Sequence, residues 1–242
     1  MLNPKAAPLQ EPPRSTTGLR PLDAFPGSLA QKVYASLKEA ILNLTIRPGE
    51  ILRKAEICAA LGVSRSPVAE AVARLASEAL VDVIPQAGTF VARFSMAEIR
   101  EGAFLREALE LAAIELVATT VTDDQLVQLR RNIRLQEVLL ADDDVTGFYA
   151  ADTALHDMIL SFTGHRRLPG MAATAWVHVN RARQLILPHP GRVADTIVEH
   201  KAIVTAVEAR DPERARAATK QHLRQLVTLL EQLAKEGPEL FS

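Results

Sequence analysis

The segment from Leu61 to Leu75, Leu-Gly-Val-Ser-Arg-Ser-Pro-Val-Ala-Glu-Ala-Val-Ala-Arg-Leu, constrains the fold more than any other part of the chain. Gly62 can take the positive φ that ends one helix, Ser64 or Ser66 can cap the next, and Pro67 falls where a helix tolerates a missing N–H. Val68, Ala71, Val72 and Leu75 then recur at i, i+3, i+4 and i+7 and predict one buried face. Arg65, Ser66, Ala69, Glu70 and Ala73 stay on or near the other face. A turn followed by a short one-sided helix is the core of a helix-turn-helix, whose second helix fits a DNA major groove.

A chain of 242 residues with 48% hydrophobic content can build two domains with their own cores. Aromatic residues make up only 4%, while Ala, Leu, Val, Arg and Glu abound in the second half, which predicts a mainly α protein. The net charge of −1 hides a split. Residues 28–94 hold eight basic and six acidic side chains, and residues 95–242 hold 17 basic and 21 acidic ones. That asymmetry suits a DNA-binding head on an acidic body. Cys58 is the single cysteine, which excludes an intrachain disulfide and fits a reducing compartment. No run reaches the ~18 to 20 apolar residues of a membrane span, and no signal-peptide core precedes the first domain. A cytoplasmic protein with no membrane partner is expected.

Residues 1–27 carry Pro4, Pro8, Pro12, Pro13, Pro21 and Pro26 and little apolar periodicity, so a flexible tail is expected there. Residues 28–94 read as a winged helix-turn-helix. A helix runs from Ser28 to a stop before Arg47-Pro48-Gly49, a second covers about 54–61, and the third follows Gly62. The runs 80–84 and 89–93, flanking Pro85-Gln86-Ala87-Gly88, read as a β-hairpin. Residues 95–236 read as an all-α antiparallel bundle of about six segments, near 96–119, 122–140, 144–163, 165–187, 192–210 and 211–235. Thr122-Asp-Asp-Gln125 is a capping box, and Asp211-Pro212 is a helix start. Residues 237–242 read as a C-terminal tail.

Asp152 and His156 stand four apart and share a helix face. His200 lies 11 residues before Asp211 and His222 lies 11 after it, so an antiparallel hairpin turning at Asp211 sets both histidines at one height. A lone helical histidine is usually a surface or core residue. One aspartate and three histidines converging on one point are instead the donors that Zn²⁺, Ni²⁺, Mn²⁺ or Fe²⁺ accept, with zinc the expected occupant as purified. Such a metal can be structural, ligand-holding or hydrolytic. A hydrolytic role needs a base, and Asp157 is turned about 100° away on the helix.

Three runs together, Ile46-Arg-Pro-Gly-Glu-Ile-Leu52, Leu61-Gly-Val-Ser-Arg-Ser-Pro-Val68 and Gly88-Thr-Phe-Val-Ala92, resemble the DNA-binding domain of GntR-family transcription regulators. The helical remainder resembles the effector domain of the FadR-like (FCD) branch. The resemblance implies a ligand-responsive regulator, a repressor by default, that is not an enzyme. It would bind a pseudo-palindromic double-stranded operator as a homodimer and answer to a small organic acid. It implies DNA contacts from Arg53, Lys54, Ser64, Arg65, Ser66, Arg74 and Gly88. Arg74 has an alternative in an ion pair with Glu70. In the metal-binding members of the branch an Asp-x-x-x-His pair and two later histidines hold the ion, and Asp152, His156, His200 and His222 match them one by one. Arg106, Asn180 and Arg183 are the expected effector contacts, Arg106 having an alternative in an intrahelical pair with Glu110, and Trp176 is a wall or a core residue. Relatives usually carry arginine after Pro-Val where this chain has Ala69, and a basic residue at the wing tip where it has Gln86-Ala87-Gly88. The first departure predicts altered operator specificity rather than lost binding, and the second predicts a weaker minor-groove or phosphate contact.

Overall fold

The computed structural model describes residues 18–242, and the chain divides into two compact units between Ala92 and Arg93. In the first unit the Ser28 side chain accepts from the Gln31 N–H while the Gln31 side chain accepts from the Ser28 N–H. This reciprocal cap satisfies two orphan donors and starts α1, Leu29–Leu42. Helix α2 is Lys54–Leu61 and ends on Gly62 at φ 64°, the left-handed conformation that glycine adopts without a Cβ clash. Helix α3, Arg65–Ser77, follows with Ser64 at its N-cap position. Neither serine caps it through a side chain, because the Ser64 hydroxyl makes no cap hydrogen bond and Ser66 already lies inside the helix. Val68, Ala71, Val72 and Leu75 are buried as the periodicity predicts.

Strands β1, Val81–Ile84, and β2, Gly88–Val91, pair antiparallel with Val81 opposite Val91 and Ile84 opposite Gly88. The stretch after Pro48 also joins this sheet, which periodicity did not reveal. Gly49 and Leu52 donate to the carbonyls of Val91 and Thr89 at 2.8 and 2.7 Å, and Val91 donates to Glu50 at 2.8 Å. The expected Pro-rich tail needs correcting where it is described. Leu22–Ala24 forms a short 3₁₀ turn, the Ser36 hydroxyl donates to the Arg20 carbonyl, and Arg20 pairs with Glu39 at 3.1 Å. The rest of that expectation, residues 1–17, lies outside the described residues.

The second unit is helical throughout: α4 Met96–Thr120, α5 Asp123–Ala141, α6 Val145–Phe162, α7 Leu168–Ala175, α8 Val177–Ile186, α9 Arg192–Glu208 and α10 Pro212–Glu236. The segment expected to run unbroken over 165–187 is two helices. The break falls at Trp176, whose φ and ψ of −100° and 7° leave the helical region while its side chain is buried. Residues 237–242 are not free of the body: Phe94 donates to Leu240, Ser242 donates to Phe94, and the Phe94 and Phe241 rings lie 5.7 Å apart. Ile114, Val117, Leu129, Leu155, Ile159, Ile203 and Val207 form the centre of the core. Burying each such side chain contributes about 1.5–3 kcal/mol. Among the described residues no helix is long and apolar enough to cross a membrane.

The Asp211 carboxylate accepts from the Arg214 N–H at 2.9 Å and so fixes the turn between α9 and α10. Asp211→Ala is expected to lower stability by about 1 kcal/mol in denaturant titration, whereas Leu129→Ala, opening a cavity in the core, should cost about 2–5 kcal/mol.

Candidate functional site

Helix α6 presents Asp152 and His156 one turn apart, and the α9–α10 hairpin brings His200 and His222 to the same level. All four side chains are buried, and their ligand atoms lie within 4.8 Å of one another. His222 Nε2 is 3.3 Å from His156 Nε2 and 3.4 Å from His200 Nε2. Asp152 Oδ1 is 3.3 Å from His200 Nε2 and 3.9 Å from His156 Nε2. Donors at bond lengths of about 2.1 Å around one ion in a tetrahedron stand about 3.4 Å from each other, so these separations have the scale of a coordination shell.

The other nitrogen of each ring shows which way the lone pairs point. His156 Nδ1 meets Glu110 Oε2 and His222 Nδ1 meets Glu199 Oε2, each at 2.6 Å. Burial alone would raise the Glu110 carboxyl, but His156 and Arg106 on its two oxygens hold it below the usual carboxylate range. Burial opposes ionisation of Glu199 too, yet its hydrogen bonds to His222 and Arg192 bring it down to about 2. Both carboxylates therefore only accept, and both Nδ1 atoms carry hydrogen.

For His200 the same conclusion comes through a chain. The Ala151 carbonyl can only accept, so Asn132 Nδ2 donates to it at 2.8 Å. Asn132 Oδ1 then accepts from Gln136 Nε2 at 2.6 Å, which leaves Gln136 Oε1 to accept from His200 Nδ1 at 2.8 Å. Desolvation lowers all three imidazoles below the ordinary value, His222 to about 4, so they are neutral at physiological pH. Three buried Nε2 lone pairs thus converge beside an oxygen of Asp152 with no proton on the three nitrogens. Such a cluster is satisfied by a cation, and these four residues can hold a metal ion.

Beside the cluster lies a cavity of about 30 Å³ walled by Arg106, Asp152, Arg183, Arg192, Thr196 and His222. It has room for about one water molecule. Arg106 forms the expected intrahelical pair, its Nε donating to Glu110 at 2.7 Å, and its side chain also walls the cavity. Arg183 lies against the Asp152 carboxylate and donates to Asn180 Oδ1 at 3.3 Å. Burial and the neighbouring Arg106 lower Arg183 to about 9, which still leaves it charged at neutral pH. Asn180 accepts from Arg183 and is not among the side chains that wall this cavity. Trp176 is a core residue whose ring sits 5.3 Å from the Arg106 guanidinium. Arg192, Glu199 and Gln136 were not singled out in the sequence. The one available signal was Gln136 standing on the same helix face as Leu126, Leu129 and Ile133.

In the first unit Arg53, Lys54, Ser64, Arg65 and Ser66 are exposed along the start of α2 and α3. Arg74 pairs with Glu78 at 3.5 Å rather than with Glu70, and its guanidinium lies 3.8 Å over the Tyr34 ring. Glu78 wins because Tyr34 and Lys38, donating at 2.6 Å each, fix its carboxylate on the side where Arg74 emerges. Gly88 opens β2 at φ 138°, a conformation that suits glycine.

Two family models match the chain: bacterial regulatory proteins of the gntR family over residues 29–91 and the FCD domain over residues 101–225. A helix-turn-helix transcriptional regulator from an unstable DNA locus of Streptomyces ambofaciens is 34% identical over 87% of this chain and 88% of its own length. The transcriptional repressor RspR of Escherichia coli is 28% identical over 88% of this chain and 93% of its own. Among solved structures, a GntR regulator from a Rhodococcus species superimposes with a TM-score of 0.73 at 25% identity, covering 85% of this chain and 99% of that one. These matches point to transcriptional regulation and not to an enzyme.

Gln136→Leu removes the acceptor that orients His200 together with the donor to Asn132 Oδ1. It is expected to weaken Zn²⁺ binding about 10- to 100-fold in a competition titration with a chromogenic chelator, while the helical circular dichroism stays at the wild-type value.

Proposed function

The chain belongs to the GntR family of bacterial regulatory proteins and carries an FCD domain, and from that premise we propose that it is a metal-dependent, acid-responsive repressor. Asp152, His156, His200 and His222 hold a divalent transition ion, and α3 reads operator DNA. The observation that carries this reading is the convergence of three Nε2 lone pairs whose Nδ1 partners are fixed.

A bound ion supplies open coordination positions to an oxygen of a small organic acid. The surrounding side chains select that ligand. Arg106, Arg183 and Arg192 place three guanidiniums around the cavity, a geometry suited to bidentate recognition of a carboxylate. At about 30 Å³ the cavity is smaller than a small organic acid, so its side chains move as the acid enters. Two of its walls are tied to the ligand shell, Arg106 through Glu110 to His156 and Arg192 through Glu199 to His222. An acid that engages these arginines competes with Glu110 and Glu199 for them. Ligand binding is thereby coupled to the helices α4, α6, α9 and α10 that carry the shell, as a population shift between two arrangements.

On DNA, two copies meet the half-sites of a pseudo-palindrome, since a twofold dimer imposes its symmetry on the operator. Arg65 and Ser66 open the reading helix, and Arg53 and Lys54 reach phosphates. Arg74, held by Tyr34 and Glu78, contributes less than the resemblance implies. Ala69 offers a methyl group, which favours a thymine at the position that relatives read with arginine.

Thermal unfolding with Zn²⁺ or Ni²⁺ and a panel of small carboxylates tests the sensor. Metal should raise the Tm, and the matching acid should raise it further only when metal is present. Replacing both His200 and His222 by Ala should abolish both shifts; retention of full metal stoichiometry in that variant contradicts the assignment. For the head, Arg65→Ala should cost about 1–3 kcal/mol of operator affinity in fluorescence anisotropy at physiological salt. Unchanged affinity would mean that α3 is not the reading helix.

A further inference from the structure

The outward face of α4 carries Phe104, Ala108, Ala112 and Leu116 at four-residue spacing, and all four are exposed. Phe104 is 73% exposed, the most of any large hydrophobic side chain among the described residues. Next to this ridge a groove of about 630 Å³ runs between α4 and α10, floored by Leu111, Leu223 and Val227. An aromatic knob and an apolar groove thus stand side by side on one face.

The charges around the groove are already matched within the chain. Arg224 pairs with Glu107 at 2.8 Å, Arg216 with Glu115 at 3.0 Å and Arg100 with Glu231 at 2.9 Å. Covering the groove therefore leaves these six charges with their partners.

We propose that this face receives a second copy of the chain, with α4 crossing the partner's α4 about a twofold axis midway between Ala108 and Ala112. The side-chain sizes along the ridge, large, small, small, large, read the same in both directions. An antiparallel twofold crossing requires that symmetry of itself, whereas an unrelated partner does not. It sets Phe104 beside the partner's Leu116 and Ala108 beside the partner's Ala112, so the backbones close in where the side chains are smallest. A four-residue ridge meeting its own copy crosses at about 50°. At that angle each Phe104 leaves the crossing point and reaches the apolar groove of the other copy. This interface rests on the reading of the protein as a twofold DNA binder and assigns that twofold to α4.

Sedimentation velocity of the full-length protein tests it. Wild type should sediment at twice the 26.4 kDa chain mass. Phe104→Glu and Ala108→Arg should each weaken the dimer on the order of 100-fold or more, because every substitution acts twice across the axis. Both positions are exposed in the single chain, so the helical circular dichroism and Zn²⁺ stoichiometry should stay at wild-type values. Val198→Glu, on the exposed face of α9, should leave the dimer intact. A wild type that is monomeric at micromolar concentration overturns this interface together with the twofold reading. A dimeric wild type whose Phe104→Glu and Ala108→Arg variants remain dimeric, or a dimer lost equally with Val198→Glu, overturns the interface alone.

Discussion

A backbone carbonyl that can only accept a hydrogen bond governs the chemistry of the buried cluster. Ala151 C=O orients Asn132, Asn132 orients Gln136, and Gln136 places the proton of His200 on Nδ1. Glu110 and Glu199, anionic beside Arg106 and Arg192, do the same for His156 and His222. Were any of these acceptors turned into a donor, one Nε2 would carry hydrogen and the convergence would become an internal hydrogen bond. The cluster can hold a cation because its outer partners are fixed, and its four inner residues alone would not decide the matter.

That arrangement exists only inside a folded bundle. Glu110 comes from α4, Asn132 and Gln136 from α5, Asp152 and His156 from α6, Glu199 and His200 from α9, and His222 from α10. Five helices must reach their final register before the lone pairs converge, and the aliphatic core around Ile114, Leu129, Leu155 and Val207 is what sets that register. A change in the cluster is therefore felt by every helix that supplies it. The aliphatic core and the polar network share these five helices, and the proposed ligand response rests on that sharing.

Much of this was legible in the amino-acid sequence, for reasons that differ from place to place. The helix-turn-helix was readable because Gly62 and the Val68, Ala71, Val72, Leu75 stripe are local signals. The four converging residues were readable because helical geometry makes i, i+4 and equal hairpin offsets meaningful. The break at Trp176 was not, since a tryptophan carries no helix-stop signal and its burial is a tertiary fact. The pairing of Gly49 and Leu52 with β2 was missed because a Pro-Gly turn hides a strand too short to show alternation. Gln136 and Arg192 escaped notice because their roles depend on which side chain faces them across the bundle. Asn180, expected among the effector contacts, accepts from Arg183, a role that depends on which side chain lies beside it on the folded helix.

Imidazole ¹⁵N chemical shifts, measured with and without Zn²⁺, address the central claim most directly. The account predicts three buried rings in the Nδ1–H tautomer, with Nε2 resonances of an unprotonated nitrogen that move together when Zn²⁺ is added. A ring protonated at Nε2 in the metal-free protein, or Nε2 resonances that stay in place with Zn²⁺ in excess, would contradict it.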